Sequence, residues 1–480
     1  MTKYGCPVRE GASRHPDVEA LTFAGRSWRY GALDAEVRRW VAALEARGIG
    51  AGHRVCVLAT NHAACVFLFW ALGRLGALLA PLNARLTRAE LEPLAQDVDP
   101  SLTLVLGTLR ERLVGAEALE TFAGAPSSDT CVALEEGAPR VVLFTSGTTG
   151  RPKGAVLTEG NFRASSRGSA ENLGEHRAPR WLGTLPLFHV GGLAMLTRTA
   201  YEGGCLVLHE RFDAEATCRA IDEEAVSHAS LVATTLERVL DVRAGRRVPE
   251  SFKLALIGGG PVPVPLLERA RVVGLLALQT YGLTEACSQV TTERPSDADG
   301  RTAGPPLPGL EVRVVGENGD MRGPGQEGDI EVRGPTVMAG YWRRPEATSE
   351  VLRDGWLRTK DLGVLDARGR LTVLSRRTDL IVRGGENIYP AEVEAVLANH
   401  PSVQEAAVVG VPDSRWGEVP VAFLALRAGQ PHPEAEALEA WCRQSLAGFK
   451  LPVRFLWVEA LPRNAMGKLE RPALRKAAEE

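Results

Sequence analysis

Lysine is almost missing from this chain. Of 56 basic side chains, seven are lysines (3, 153, 253, 360, 450, 468 and 476), and the others are arginines. Arginine therefore does most of the generic surface work. A lysine inside a glycine-rich loop then carries more information than usual, because a compact ammonium and a planar guanidinium are not interchangeable. Lys153 and Lys468 sit in such loops. The eight cysteines contain no Cys-x-x-Cys pair, which argues against a zinc or disulfide framework and predicts small core residues in a reducing cytoplasm. A net charge of −3 leaves no electrostatic footprint for nucleic acid or an anionic membrane. The opening Met1-Thr-Lys-Tyr-Gly-Cys-Pro7 lacks the apolar core of a signal peptide. The most apolar stretch, 63–80, is interrupted by Arg74 and diluted by glycine, so a buried amphipathic helix is expected there and no membrane span. The common nucleotide loop G-x-x-x-x-G-K-[ST] does not occur.

What is present is ordinary globular chemistry, 45% apolar and 24% charged. At 480 residues the chain is too long for one core. Helical spacing over 28–50, a strand at 54–59 and a helix over 62–79 begin a strand–helix alternation that continues to about residue 290. Its later strands are expected at 181–186, 205–209, 253–257 and 275–280. Alternation of this kind predicts parallel sheets with helices on their faces. From about 300 the pattern changes to an antiparallel hairpin, 311–315 with 329–333, in a small β subdomain closed by 371–374. Polar residues 375–380 then separate that subdomain from a compact tail. The tail reads strand (381–383), helix (391–399), strands (403–411, 420–427), helix (434–446), strand (454–458) and a final helix.

The stretch that organises the chain is 141–157. An apolar run, Val141 to Phe144, breaks into Thr145-Ser146-Gly147-Thr148-Thr149-Gly150, followed by Arg151, Pro152 and Lys153. Glycines let backbone N–H groups converge on one anion, hydroxyls add donors, and the lysine adds a point charge. Such a loop can wrap a polyphosphate, although Ser/Thr/Gly clusters also make plain turns. Other segments are ambiguous singly. His189, at the end of Thr184-Leu-Pro-Leu-Phe-His, reads by itself as a hydrogen-bonded core histidine. Gly258-Gly259-Gly260-Pro261 suits either a flat ring against the backbone or a strand-to-helix turn. Thr284 and Glu285, after Tyr281-Gly282-Leu283, could hold a hydrated Mg²⁺ on phosphate oxygens or cap a helix. Asp361 follows a strand and could take the two hydroxyls of a ribose; Lys468 alone would be a solvated charge.

In order and spacing together, these motifs resemble the adenylate-forming superfamily of acyl- and aryl-CoA ligases, peptide-synthetase adenylation domains and luciferases. The resemblance covers nearly the whole chain. It implies an α/β fold with a large N-terminal domain (1–375) of two parallel-type αβ subdomains plus a small β subdomain. A small mobile α+β domain (376–480) carrying the catalytic lysine follows. It also implies a two-step reaction, in which a carboxylic acid and ATP give an acyl-adenylate and CoA then takes the acyl group.

In family terms Thr145 to Gly150 and Lys153 hold the β/γ-phosphates, while Gly259, Gly260, Pro261 and Tyr281-Gly282 bracket adenine. Thr284 contacts phosphate, Glu285 holds Mg²⁺, and Asp361 and Arg376 hold ribose. Lys468 bridges carboxylate and α-phosphate, and Gly384-Gly385 line a thiol tunnel. His189, Gly282, Ser288, Gln289 and Arg198 are the candidate acid-binding residues. Thr284-Glu-Ala-Cys-Ser-Gln289, the Gly384–Glu392 run and Pro462-Arg-Asn-Ala are similar to the o-succinylbenzoate–CoA ligase branch of menaquinone biosynthesis. The alternatives are a ligase for another aryl or medium-chain acid, or a stand-alone adenylation enzyme loading a carrier protein. Thr378, Ser375 and Met466 depart from the common pattern, so no hinge side-chain role is carried over to Thr378. The expected partners are small molecules, with no nucleic acid and no membrane span; a homo-oligomer is left open.

Overall fold

A computed structural model describes residues 2–122, 126–145, 152–174, 178–259, 262, 264–316, 318–376, 381–388, 390–462 and 469–480. The chain forms two compact units, one of residues 1–84, 95–143 and 154–374, the other of residues 85–94, 144–153 and 375–480.

Two large sheets dominate the first unit among the described residues. A seven-stranded sheet runs in the order 340–341, 153–158, 139–145, 78–82, 54–58, 102–105, 117–118. Its centre is parallel, and the short Gly340–Tyr341 strand closes one edge antiparallel to Ala155 and Val156. An eight-stranded sheet runs 288–292, 277–283, 254–258, 228–232, 180–183, 205–208, 19–23, 26–29. It is parallel inside and antiparallel at both outer strands. The parallel strands read as near-continuous apolar runs because both of their faces are covered. A third, antiparallel sheet joins 311–315, 328–333, 356–365 and 352–353, with 371–376 paired to 356–365. The α/β architecture with a separate small β sheet is the one expected.

Several local expectations change. Trp28 and Arg29 end a strand, and the helix starts at Tyr30. The helix expected over 62–79 stops at Leu75, where Gly76 takes a left-handed φ of 67°, and Leu78–Leu82 is a strand. That helix, Ala63–Leu75, is not amphipathic: every residue is buried, including Arg74, which pairs with the Asp34 carboxylate. The helix Glu159–Leu173 begins with a reciprocal cap, Thr158 Oγ1 accepting from Asn161 N and Asn161 Oδ1 from Thr158 N. Asn161 then donates through Nδ2 to the carbonyls of Pro335 (2.8 Å) and Val337 (2.9 Å), anchoring the segment that leads to Tyr341.

In the second unit, strands 386–388, 381–383, 417–426 and 403–413 form a sheet, with 454–458 parallel to 417–426. Helices Pro390–Ala398, Ala435–Arg443 and Arg471–Glu479 accompany it. A strand not expected from the sequence, Glu386–Ile388, pairs with 381–383 before the helix. Buried Lys450 sits between two carboxylates, 2.7 Å from Glu90 Oε1 and 2.7 Å from Glu392 Oε1. Burial works to lower its pKa, yet the two glutamates carry it above the ordinary lysine value.

Candidate active site

The strand Ala277–Leu283 brings Tyr281 inward, and a register shift at Tyr281/Gly282 bends it there. The Tyr281 hydroxyl donates to Asp361 Oδ2 at 2.6 Å, with both residues buried. Asp361 lies inside the strand Trp356–Leu365, not after it. Lys360 has a φ of 65° and the ladder is irregular opposite Asp329–Glu331, a local kink that re-aims the carboxylate.

Past the bend, Thr284–Ala286 is one 3₁₀ turn. The Glu285 carbonyl accepts from Met338 N at 2.8 Å, and its Oε1 accepts from the Tyr341 hydroxyl at 2.9 Å. Glu285 is thus held by the same segment that Asn161 anchors. Cys287 and Ser288 both take positive φ, 53° and 88°. Their turn folds back onto Gly282, where a Cβ would lie 1.8 Å from the Ser288 carbonyl oxygen, so only glycine fits. Ser165 Oγ fixes the turn from the other side, donating to the Cys287 carbonyl at 2.9 Å.

His189 caps the helix Val190–Tyr201 without a side-chain capping bond, and its ring meets Phe188 edge-on at 4.7 Å. Farther along this helix, Arg198 is 2% exposed. Its guanidinium lies over the Trp181 ring at 4.7 Å, and Nη2 donates to Gln289 Oε1 at 2.5 Å. Arg198 Nε is buried without a hydrogen-bond partner. Burial lowers the Arg198 pKa to about 10, against the pull of Glu202. Glu202 is itself pushed up to about 7 by burial, with Arg198 opposing. A nearby apolar cavity, lined by Val57, Leu79, Pro81, Leu187, Phe188 and Leu193, holds no charged side chain and no residue of 282–290.

The remaining expected positions are placed as follows. Thr145 ends the strand Pro139–Thr145, and its Oγ1 lies 3.4 Å from the Lys153 carbonyl, closing the base of the loop. Gly259, at φ 83°, follows the strand Leu254–Gly258. Gly384 and Gly385, at φ 58° and 83°, are the two-residue turn of the hairpin 381–383/386–388. Arg376 ends the strand Leu371–Arg376. Ser146, Gly147, Thr148, Thr149, Gly150, Gly260, Pro261 and Lys468 lie outside the described residues.

Residues 8–342 match the AMP-binding enzyme family, and 392–468 match the AMP-binding enzyme C-terminal domain. The chain belongs to the AMP-binding enzymes. It is 40% identical to the 2-succinylbenzoate–CoA ligase of Geobacillus kaustophilus, over 98% of this chain and 97% of that one. It superposes on a double mutant of o-succinylbenzoate CoA synthetase from Bacillus subtilis, bound to the product analogue OSB-NCoA, with a TM-score of 0.94. That match has 37% identity and covers 99% of each chain. The same B. subtilis enzyme in complex with ATP and magnesium ion matches with a TM-score of 0.75 and 36% identity, covering 100% of each chain.

Three side chains of this AMP-binding enzyme that the motifs did not single out stand beside the expected ones. They are Tyr341 on Glu285, Trp181 under Arg198, and Glu202 one helical turn from Arg198. The only signal for Tyr341 is an aromatic pair, Tyr341-Trp342, between Gly340 and two arginines. No helix of the described residues is long and apolar enough to cross a membrane.

Proposed function

We propose that this chain is an AMP-forming 2-succinylbenzoate–CoA ligase. In the first step a carboxylate oxygen of the acid bonds to the α-phosphorus of ATP, the Pα–O–Pβ bond breaks, and pyrophosphate leaves. In the second the CoA sulfur bonds to the acyl carbon, the bond to the AMP oxygen breaks, and AMP leaves. The observation that carries the reading is the near-complete match, at about two identical residues in five, to ligases of that name.

The chain's own residues divide the work. Thr145 to Gly150 and Lys153 hold the β- and γ-phosphates. Gly259, Gly260, Pro261, Tyr281 and Gly282 flank the adenine, Thr284 meets phosphate, and Asp361 with Arg376 takes the ribose. His189, Gly282 and Ser288 border the acid. Residues 1–375 form the nucleotide- and acid-binding domain, and 376–480 form a mobile domain that carries Lys468 and, in Gly384-Gly385, the thiol passage.

Among the described residues no group of three histidine, cysteine or acidic side chains could cage a metal. Magnesium does not need one, since it keeps its waters and takes one or two carboxylates beside phosphate oxygens. Glu285, oriented by Tyr341, fits that role, and the ion would offset phosphate charge. The offset matters because an acid approaching a triphosphate meets like charge. At 4 Å and an effective dielectric near 20, one such pair is worth about 4 kcal/mol, or roughly three decades of rate. Lys153 and Lys468 supply further counter-charge, and a lysine on a mobile domain can be withdrawn for the second step.

The acid has one carboxylate to activate and one spectator. Arg198, buried with an unpartnered Nε–H, suits the spectator. A buried cation lacking a full complement of partners is costly until an anion joins it. The cysteines, all free and mostly buried, support a cytoplasmic location.

A panel of acids with ATP and CoA, followed by AMP release, tests the reading. Turnover of 2-succinylbenzoate well above benzoates and fatty acids is expected; the reverse order would overturn it. Lys468→Ala should abolish adenylate formation while sparing thioester formation from supplied acyl-adenylate. Equal loss in both halves would refute the withdrawn lysine.

A further inference from the structure

We infer that Gln289 and Trp181 are positioning residues, a neutral clamp that fixes the Arg198 guanidinium so that its remaining N–H groups meet the spectator carboxylate. The inference rests on the assignment of Arg198 to that carboxylate.

Both polar atoms of Gln289 are already engaged within the protein. Its Oε1 accepts from Arg198 Nη2, and its Nε2 donates to Thr292 Oγ1 at 2.8 Å. The direction of this chain is set at the guanidinium, which can only donate, so Gln289 turns Oε1 to Arg198 and Nε2 to Thr292. Thr292 Oγ1 also lies 2.8 Å from the Thr291 carbonyl. Thr280 Oγ1, 2.9 Å from Thr292 Oγ1, adds a further contact and also reaches the Thr291 carbonyl at 2.9 Å. Turning the amide over would set its NH₂ against the guanidinium, donor to donor. Gln289 and Thr292 are buried, so water offers little competition for these bonds. The guanidinium plane is set separately. Trp181 lies under it at 4.7 Å, and the ring of His228 stacks with Trp181 at 4.8 Å.

The clamp's chemistry matters as much as its geometry. A glutamate at 289 would hold the guanidinium better but would cancel its charge. A glutamine holds it with a dipole and leaves the positive charge for a ligand. Arg198 Nε remains buried and unpartnered, which marks where that ligand's oxygen can be accepted.

The test uses full-length enzyme carrying Gln289→Met, Arg198→Leu, both together, or Thr292→Val. KM and kcat are measured for 2-succinylbenzoate and for whichever of 4-oxo-4-phenylbutanoate or 2-butanoylbenzoate, each lacking one carboxylate, is turned over. Gln289→Met should raise KM for the diacid by about ten-fold, the scale of one hydrogen bond to a charged group. KM for the monoacid and for ATP should hold steady. In the Arg198→Leu background Gln289→Met should add nothing, because nothing is left to position. Thr292→Val keeps the core filled and releases the amide, so it should weaken the diacid in the same direction, and it serves if Gln289→Met does not fold.

Multiplicative losses in the double variant, or tighter diacid binding by Thr292→Val, would make Gln289 a direct contact and overturn the clamp. Equal loss for both acids, or no loss, in Gln289→Met would overturn it as well. If Arg198→Leu treats diacid and monoacid alike, the Arg198 assignment itself fails, which is a separate and recognisable result.

Discussion

Tyr281 and Asp361 are joined by a 2.6 Å hydrogen bond between two different sheets, the tyrosine on the eight-stranded sheet and the aspartate on the small antiparallel one. The bond fixes the orientation of the Asp361 carboxylate, the group proposed to take the ribose. Tyr281→Phe should therefore raise KM for ATP by about five- to ten-fold, the scale of one buried hydrogen bond, and leave KM for the acid alone. Steady-state kinetics with each substrate varied in turn check this.

Glu285 is oriented by Tyr341 across 2.9 Å. Glu285→Gln should depress adenylation by about a hundred-fold at fixed magnesium, the loss of one charged metal ligand at phosphate. Tyr341→Phe should do less, about ten-fold, as expected for a partner that orients a ligand. Both losses should shrink as magnesium is raised. A magnesium titration of pyrophosphate release reads them, and a deficit insensitive to magnesium would contradict the metal role.

Glu202 has a folded pKa raised to about 7, chiefly by burial. The unfolded chain ionises near an ordinary carboxylate value, so between about pH 4.5 and 7 the folded state binds more protons than the unfolded one. Stability contributed at this site thus falls as pH rises through that window and is flat above it. Glu202→Gln should remove that slope and gain on the order of 2 kcal/mol over the parent at pH 8, with no gain at pH 4. Ionised Glu202 also offsets Arg198, so KM for the diacid should climb above pH 7 in the parent and stay level in the variant. Urea melts and a KM–pH series measure the two effects.

Lys450 is confined between Glu90 and Glu392. Lys450→Met leaves two mostly buried carboxylates facing one another and should remove about 3 kcal/mol of stability, as breaking buried ion pairs does. Burial already raises the Glu392 pKa, with Lys450 opposing. Without the lysine Glu392 should retain its proton to still higher pH, so the deficit should be smallest at pH 5 and grow toward pH 8. Lys450's own stabilisation, from a raised pKa, is present through neutral pH and is lost only as the pH rises through that value. Denaturant midpoints at several pH values test the trend.

The strands at 54–58, 205–208 and 254–258 are legible because burial on both faces writes a near-continuous apolar run. The same signal misled at 62–79, where helix and strand are equally apolar and only Gly76 marks the break. Glu386-Asn387-Ile388 was missed because a short polar edge strand has no hydrophobic pattern, and its existence depends on the Gly384-Gly385 turn. Asp361 reads from the sequence as following its strand and lies within it, because a kink is a property of the ladder and not of a composition. In the site, Glu285 and Tyr281 were readable as motif members. Their orienting partners, Tyr341 and Asp361, lie 56 and 80 positions farther along. Separation of that kind is supplied by folding alone.

The two-residue strand Gly340–Tyr341 has a consequence for how the chain is made. Among the described residues it is the strand that pairs with the outer edge of Lys153–Thr158, with flanking bonds from Ala339 N to the Val156 carbonyl and from Trp342 N to the Gly154 carbonyl. During synthesis that edge emerges early and stays uncapped until the entire eight-stranded sheet has been added. An unpaired edge of Ala155-Val156-Leu157 is a template for self-association. Premature chain ends before residue 340 should consequently aggregate rather than fold, and the residue that seals the edge is also the one that orients Glu285.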